Sequence, residues 1–323
     1  MISLKHQITT SMAMLPVSIV IAVVLWLWQA PQTLESVAGL ACVLILTLAL
    51  RWLSNTLQLI RVRSWAVSSI FVVLMAVCAP LHDWSVEVMG ITTLYMMHVG
   101  GLLFSTHVRR PQLAVFISSV ALGCLTMVLP QTVWLLPFSV MAMAMPLRIF
   151  SARVLAALLL GLLLPYEVWA AWYLVQGILV EAFTTLVNGV IPSFTSLLTP
   201  HPSLLTPYSL LLTPILLFSL FSLVHFMRTS LDDKIATRMR YIVLLLQWPV
   251  LLVLVVLQVT ESSTANVQCS MSLAPAWILC CSPLLARYFV FSRGWQAGLA
   301  FWLFLLSLVA MSLYPLFLNL LIF

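Results

Sequence analysis

The sequence predicts an all-α fold, a polytopic transmembrane helix bundle of about eleven spans with its N-terminus in the cytoplasm. Three observations predict it. Hydrophobic residues fill 63% of the 323 positions and charged ones only 7%, against roughly 25% charged in soluble domains. The apolar runs continue for about 15–25 residues, enough for a helix to cross a hydrocarbon core of ~30 Å, and lack the alternation of barrel strands. Threaded across a bilayer, these runs also leave all 14 lysines and arginines on one side, the asymmetry that orients inner-membrane proteins.

Charge and proline set the bounds of each span. They fall at 12–30, 37–53, 64–80, 88–105, 112–129, 132–147, 154–175, 206–227, 241–260, 273–291 and 296–322. The first follows Lys5 and His6 as a signal peptide would, but it is long and Pro31 follows Ala30, so it reads as an uncleaved span. The second lies between Glu35 and Arg51, and the third between Arg63 and Pro80. The fourth starts after Glu87, and the fifth runs from Pro111 to Pro130. The sixth has only about 22 Å of helix between Pro130 and Arg148, so it stands upright, sits inside the bundle or thins the bilayer. The seventh follows Arg153, and 154–191 is too long for one straight span, which predicts a break at Gln176-Gly177. Thr206 and Pro207 suit the N-cap and first position of the eighth, and Pro214 two turns later predicts a kink. Arg240, Glu261, Arg287 and Arg293 separate the last three.

This threading constrains the stretch before the eighth span. Cytoplasmic segments hold Lys5; Arg51, Arg61 and Arg63; Arg109 and Arg110; Arg148 and Arg153; Arg228, Lys234, Arg238 and Arg240; and Arg287 with Arg293. A single crossing near 178–191 would put the Arg228–Arg240 cluster outside, so this stretch is expected as an outer-face interfacial or re-entrant helix. Glu181, Thr184, Thr185 and Asn188 share one helical face there. A near-repeat of Ser-Leu-Leu-Thr-Pro follows, with Pro200 and Pro202 keeping 195–205 irregular. Between Phe226 and Tyr241, Ser230 is placed to cap a short helix with Asp232 and Asp233 in its first turn and Arg238 and Arg240 near its end. That segment reads as a solvated linker, and 228–240 is also the candidate docking site for a soluble partner.

Candidate substrate-binding residues are Glu167, Glu181, Thr184, Asn188 and His98. Glu167 belongs to the outer part of the seventh span, and a carboxylate in hydrocarbon must be protonated, paired or wet. His98 falls near mid-bilayer, and Gly100 and Gly101 allow a neighbouring helix to approach it and bond to it. Arg61, Arg63, Arg109, Arg110, Arg148 and Arg153 are candidate lipid-headgroup ligands, and positive-inside placement explains the same residues without one. No metal site is expected: His82, Asp83 and Glu87 match no ligand spacing, and the six cysteines form no zinc or redox pair. There is no Walker loop, HExxH or Gly-x-Ser-x-Gly turn, so no catalytic residue and no cofactor is assigned. The basic residues lie between spans, which leaves no nucleic-acid surface; the partners expected are the bilayer and other membrane subunits.

Asn55 with Arg63, Pro80, Leu102-Leu103-Phe104, Pro130 with Trp134 to Pro137, Arg148, Ser151 with Arg153, and Gly161 to Pro165 carry a resemblance. In these residues the first half resembles an uncharacterised family of Bacteroidota multi-span inner-membrane proteins. The resemblance implies a bacterial cytoplasmic (inner) membrane setting and no chemistry. Function then reads as a transporter or flippase-like protein for a lipid-linked or small amphiphilic substrate, or as a membrane subunit of an envelope complex. The competing reading is a membrane-embedded transferase on a lipid-linked substrate, with Glu167 or Glu181 as base. On the transport reading, Glu167→Gln abolishes substrate movement.

The threading is testable by reporter fusion. A fluorescent protein joined after Arg110 or Lys234 is expected to fluoresce, and a phosphatase inserted in 195–205 to be active. Phosphatase activity at Arg110 would invert the topology.

Overall fold

Every regular element among the described residues is helical, and the computed structural model describes residues 9, 11, 13–29, 33–60, 64–78, 86–190, 207–265, 271–292 and 294–322. The helices are α1 (Met14–Gln29), α2 (Leu34–Thr56), α3 (Ala66–Val77), α4 (Val86–Phe104), α5 (Pro111–Val128), α6 (Leu135–Ala144), α7 (Ala152–Gln176), α8 (Leu179–Val190), α9 (Pro207–Thr229), α10 (Ile235–Ala265), α11 (Ala274–Phe291) and α12 (Trp295–Ile322). Eight are long and apolar enough to cross a membrane. The remaining predicted spans are shorter helices. The run 12–30 gives α1, and 64–80 gives α3. The run 132–147 gives a 3₁₀ segment, Pro130–Trp134, that continues into the ten residues of α6.

The chain divides into two compact units, one of Met1–Met89, Pro202–Lys234 and Gln268–Phe323, the other of Gly90–His201 and Ile235–Val267. The first unit is organised around α3 and α11, which pack on each other with 11 of 12 and 16 of 18 residues buried. Helices apolar on every face belong at the centre of a bundle. Around them, α1 and α2 form a hairpin: Thr33 caps α2 by accepting from Ser36 N at 3.3 Å, and Glu35 complements the first turn. The Trp26 indole N–H donates to Ser36 O at 3.1 Å across that hairpin.

The second unit is built on a seam of small residues. A Cβ on Gly101 of α4 would meet Ser118 Cβ of α5 at 2.8 Å, and one on Gly123 of α5 would meet Leu162 O of α7 at 2.8 Å. Residues 116 and 119 face 161, and 123 faces 165, so α5 and α7 run parallel. Small residues permit such backbone approach where no hydrophobic force draws helices together in lipid. The parallel packing puts Arg109, Arg110 and Arg153 at one end, and Arg240 joins them through Nε to Thr106 Oγ1 at 3.1 Å.

The break at Gln176-Gly177 is present. Gly177 takes φ 74°, its N–H donates to Leu174 O, and Ile178 N donates to Tyr173 O, a left-handed helix stop followed by α8. The segment between Phe226 and Tyr241 differs from the expectation. Ser230–Asp232 is a single 3₁₀ turn that caps no helix, and Arg238 and Arg240 lie in the first turns of α10. Asp233 is instead drawn inward by Arg287, which anchors the segment at that residue, while Arg228, Leu231 and Lys234 are exposed. Arg287, expected beside Arg293 at a span end, is buried within α11. Arg61, Arg63, Lys5, Arg293, Cys269, His82, Asp83 and the Thr-Pro repeat up to Thr206 lie outside the described residues.

The small-residue seam makes a stability prediction. A Cβ on Gly161 would lie 2.6 Å from Phe116 O, a backbone atom that cannot move aside, whereas one on Gly90 meets nothing within 4 Å. Gly161→Val is expected to destabilise the detergent-purified protein by about 1–3 kcal/mol, and Gly90→Ala to leave its melting temperature unchanged.

Candidate functional site

In the second unit the polar residues of four helices meet around His98, which is 1% exposed. Its Nδ1 lies 3.1 Å from Ser118 O and 3.1 Å from Ser118 Oγ, and its Nε2 lies 3.0 Å from Ser139 Oγ and 3.3 Å from Gln247 Nε2. Tyr95 O–H donates to Gln247 Oε1 at 3.0 Å, which turns the amide N–H towards the imidazole. An amide N–H only donates, so Nε2 accepts and the proton sits on Nδ1. Ser118 Oγ–H is spent on His98 O at 2.7 Å and Ser139 Oγ–H on Leu135 O at 2.8 Å.

Every member of this network is satisfied, and that decides what it can do. Tyr95 is a second titratable group one step from His98, but Gln247 stands between them, and a carboxamide does not pass protons as a hydroxyl does. The network therefore sets the register of α4, α5, α6 and α10. At roughly 0.6 kcal/mol for a hydrogen bond between membrane helices, its worth lies in specificity more than in stability.

The other predicted residues stand apart. Glu167 is exposed on α7 and makes no hydrogen bond or ion pair among the described residues. Glu181, Thr184 and Asn188 are exposed on α8, where the Thr184 and Thr185 hydroxyls donate to Glu181 O at 2.8 and 2.9 Å. That polar stripe is real, and the opposite face of α8 meets α7 in an apolar notch of about 410 Å³ between Tyr166, Trp169 and Phe183. Among the described residues, neither this notch nor the chamber of the first unit is lined by His98, Glu167 or the Glu181 stripe. Arg109, Arg110, Arg148 and Arg153 are all exposed.

The first unit holds two features that sequence reasoning missed. One is the ion pair of Arg287 and Asp233, whose side chains are 3% and 6% exposed. Arg287 also donates through Nη2 to Thr229 Oγ1 at 3.2 Å and lies 4.7 Å from the Phe226 ring centroid. Arg287 stands four residues from the end of an apolar helix, which looks like ordinary flanking charge; only the third dimension supplies Asp233. The other is a chamber of about 1000 Å³ between α1, α3 and α12, closed at one point by Phe289 of α11. Val17 and Ile21 of α1 and Leu306 and Val309 of α12 line it and are also exposed, so the chamber opens between those two helices. No described side chain lining it is charged.

Together these features define an α-helical integral membrane protein with apolar surfaces for the bilayer and polar groups gathered inside. No protein-family model, curated protein or solved structure matches the chain. Among the described residues, no group of three or more metal-binding side chains forms a site.

The ion pair yields the sharpest energetic expectation. Arg287→Met strands a buried carboxylate and is expected to cost about 3–5 kcal/mol, while Arg287→Met with Asp233→Leu recovers most of it. Equal losses in single and double variants, read by chemical unfolding in detergent, would show that the pair is not coupled.

Proposed function

We propose that this is a transporter or flippase-like protein of the bacterial cytoplasmic membrane, handling a lipid-linked or small amphiphilic substrate. The observation that carries the reading is the chamber of the first unit. Its size lies at the upper end of the ~300–1000 Å³ typical of ligand pockets, its walls are three apolar helices, and its mouth faces the bilayer side of α1 and α12. A substrate entering there never leaves hydrocarbon, which removes the desolvation cost of carrying its tail through water. The basic end of the second unit, with Arg109, Arg110, Arg153 and Arg240, supports placing that end and the N-terminus in the cytoplasm. On the same threading the chain crosses about eleven times, with α8 on the outer face, where its polar stripe meets water and its apolar face meets α7.

The transferase alternative rests on Glu167 or Glu181 as base. Both are exposed, and among the described residues neither carboxylate has a partner that would orient it. A second reading, a membrane subunit of an envelope complex, draws support from Leu231, an apolar side chain left exposed within 228–240.

Val73 is the residue of α3 that is not fully buried, and it faces the chamber. Val73→Trp is therefore expected to abolish movement of a fluorescent lipid analogue in reconstituted vesicles while the protein still purifies as a folded species. Undiminished movement would remove the chamber from the mechanism, and loss in Glu167→Gln instead would return the site to α7.

A further inference from the structure

The chamber contains one polar group with nothing to bond to. Ser69 of α3 lines it, is 1% exposed, and its Oγ has no hydrogen-bond partner. The other serines of the lining that lie on helices return their hydroxyls to their own backbone: Ser18 to Leu15 O at 2.8 Å and Ser312 to Val309 O at 2.8 Å. A buried hydroxyl left unpaired in an apolar site is costly, and native interiors avoid it unless a ligand or water completes it.

The shape of the chamber says what kind of ligand that is. Its lining runs from Met14 to Leu25 on α1 and from Phe301 to Ser312 on α12, about 16 Å at helical rise. That is close to half of a ~30 Å hydrocarbon core, the depth of one leaflet. An elongated apolar space of that length is well proportioned for hydrocarbon tails.

The unpaired hydroxyl lies at one end of the chamber. Ser64 Oγ donates to Thr9 O at 2.7 Å, so α3 starts level with the chain just before α1, and Ser69 lies at that end. Ser11 lies at the same end, and Val77 and Leu25 lie towards the other. Among the described residues no charged side chain lines the chamber, so the partner argued for Ser69 is a neutral oxygen.

We infer that the chamber binds an amphiphile whose neutral oxygen, a hydroxyl or a carbonyl, bonds to Ser69 Oγ while its hydrocarbon tail runs along Ile70, Val73 and Val77. This deepens the proposed function, on which it rests for the chamber being a binding site. A long-chain alcohol and the ester carbonyl of a glycerolipid share this chemistry.

The test uses the full chain in nanodiscs with two photoreactive probes, a diazirine hexadecanol and the matching diazirine hexadecane, with cross-links mapped by mass spectrometry. The methyl ester of a long-chain fatty acid, which has an ester carbonyl and no free hydroxyl, serves as competitor, to distinguish an ester oxygen from a free alcohol. The wild type is expected to label α1 and α12 with both probes and to favour the alcohol by about tenfold, the worth of one hydrogen bond to a buried group. Ser69→Ala is expected to erase that preference without reducing labelling by the alkane, and Ser69→Thr to restore it. Equal labelling by both probes in the wild type, or an unchanged preference in Ser69→Ala, overturns the hydroxyl site and leaves the chamber standing. Absence of label from α1 and α12 with either probe overturns the site and the proposed function together.

Discussion

In hydrocarbon a polar group has no water to turn to, and this constraint decides where nearly every polar side chain in the protein goes. Most serines and threonines on helices solve it locally, by donating to a carbonyl three or four residues back. Thr47 bonds to Val43 O at 2.7 Å, Ser105 to Leu102 O at 2.6 Å and Thr126 to Gly123 O at 2.8 Å. Groups too large or too charged for that solution are paired between helices. His98 is closed in by Ser118, Ser139 and Gln247, and Arg287 by Asp233 and Thr229. Ser69 departs from this pattern at the wall of the chamber, and the ligand argument begins there.

The two units meet the constraint by different means. The second brings helices close enough for polar contacts by removing side-chain bulk, with Gly101 against Ser118 and Gly161 against Ser119. Its buried network is saturated and leaves no atom free to receive a substrate. The first surrounds α3 and α11 with apolar side chains and admits one ion pair near the end of α11. Its apolar walls do not close fully between α1 and α12, and the resulting space has the length of a single leaflet. Rigidity in one unit and accommodation in the other follow from which residues were placed at the helix contacts.

Much of the fold was legible because membrane helices are written in continuous apolar runs and their ends in charge. The break at Gly177 was legible too, since a helix of that length exceeds the bilayer and glycine tolerates positive φ. The polar stripe on α8 followed from spacing alone. The site was far less legible. His98 stood out as a lone histidine, but its partners Ser118, Ser139 and Gln247 are scattered over more than a hundred residues, and nothing local joins them. Glu167 drew attention as a carboxylate in an apolar run, yet burial is decided by neighbours, and α7 turns that side chain outward. In the 228–240 segment one charge departs from what the sequence suggests: Asp233 is paired, and its partner is 54 residues away. Ser69 carried no sequence signal, because a serine in an apolar helix usually bonds to its own backbone.

The central claim is that the chamber is a ligand site, where a lipid-like molecule completes the unpaired Ser69 hydroxyl. Cryo-electron microscopy of the protein in lipid nanodiscs tests this most directly. The account predicts an elongated density about one leaflet long between α1, α3 and α12, with one end within hydrogen-bond distance of Ser69 Oγ. A chamber collapsed or filled by the chain itself, with Ser69 bonded to a backbone carbonyl, would contradict it.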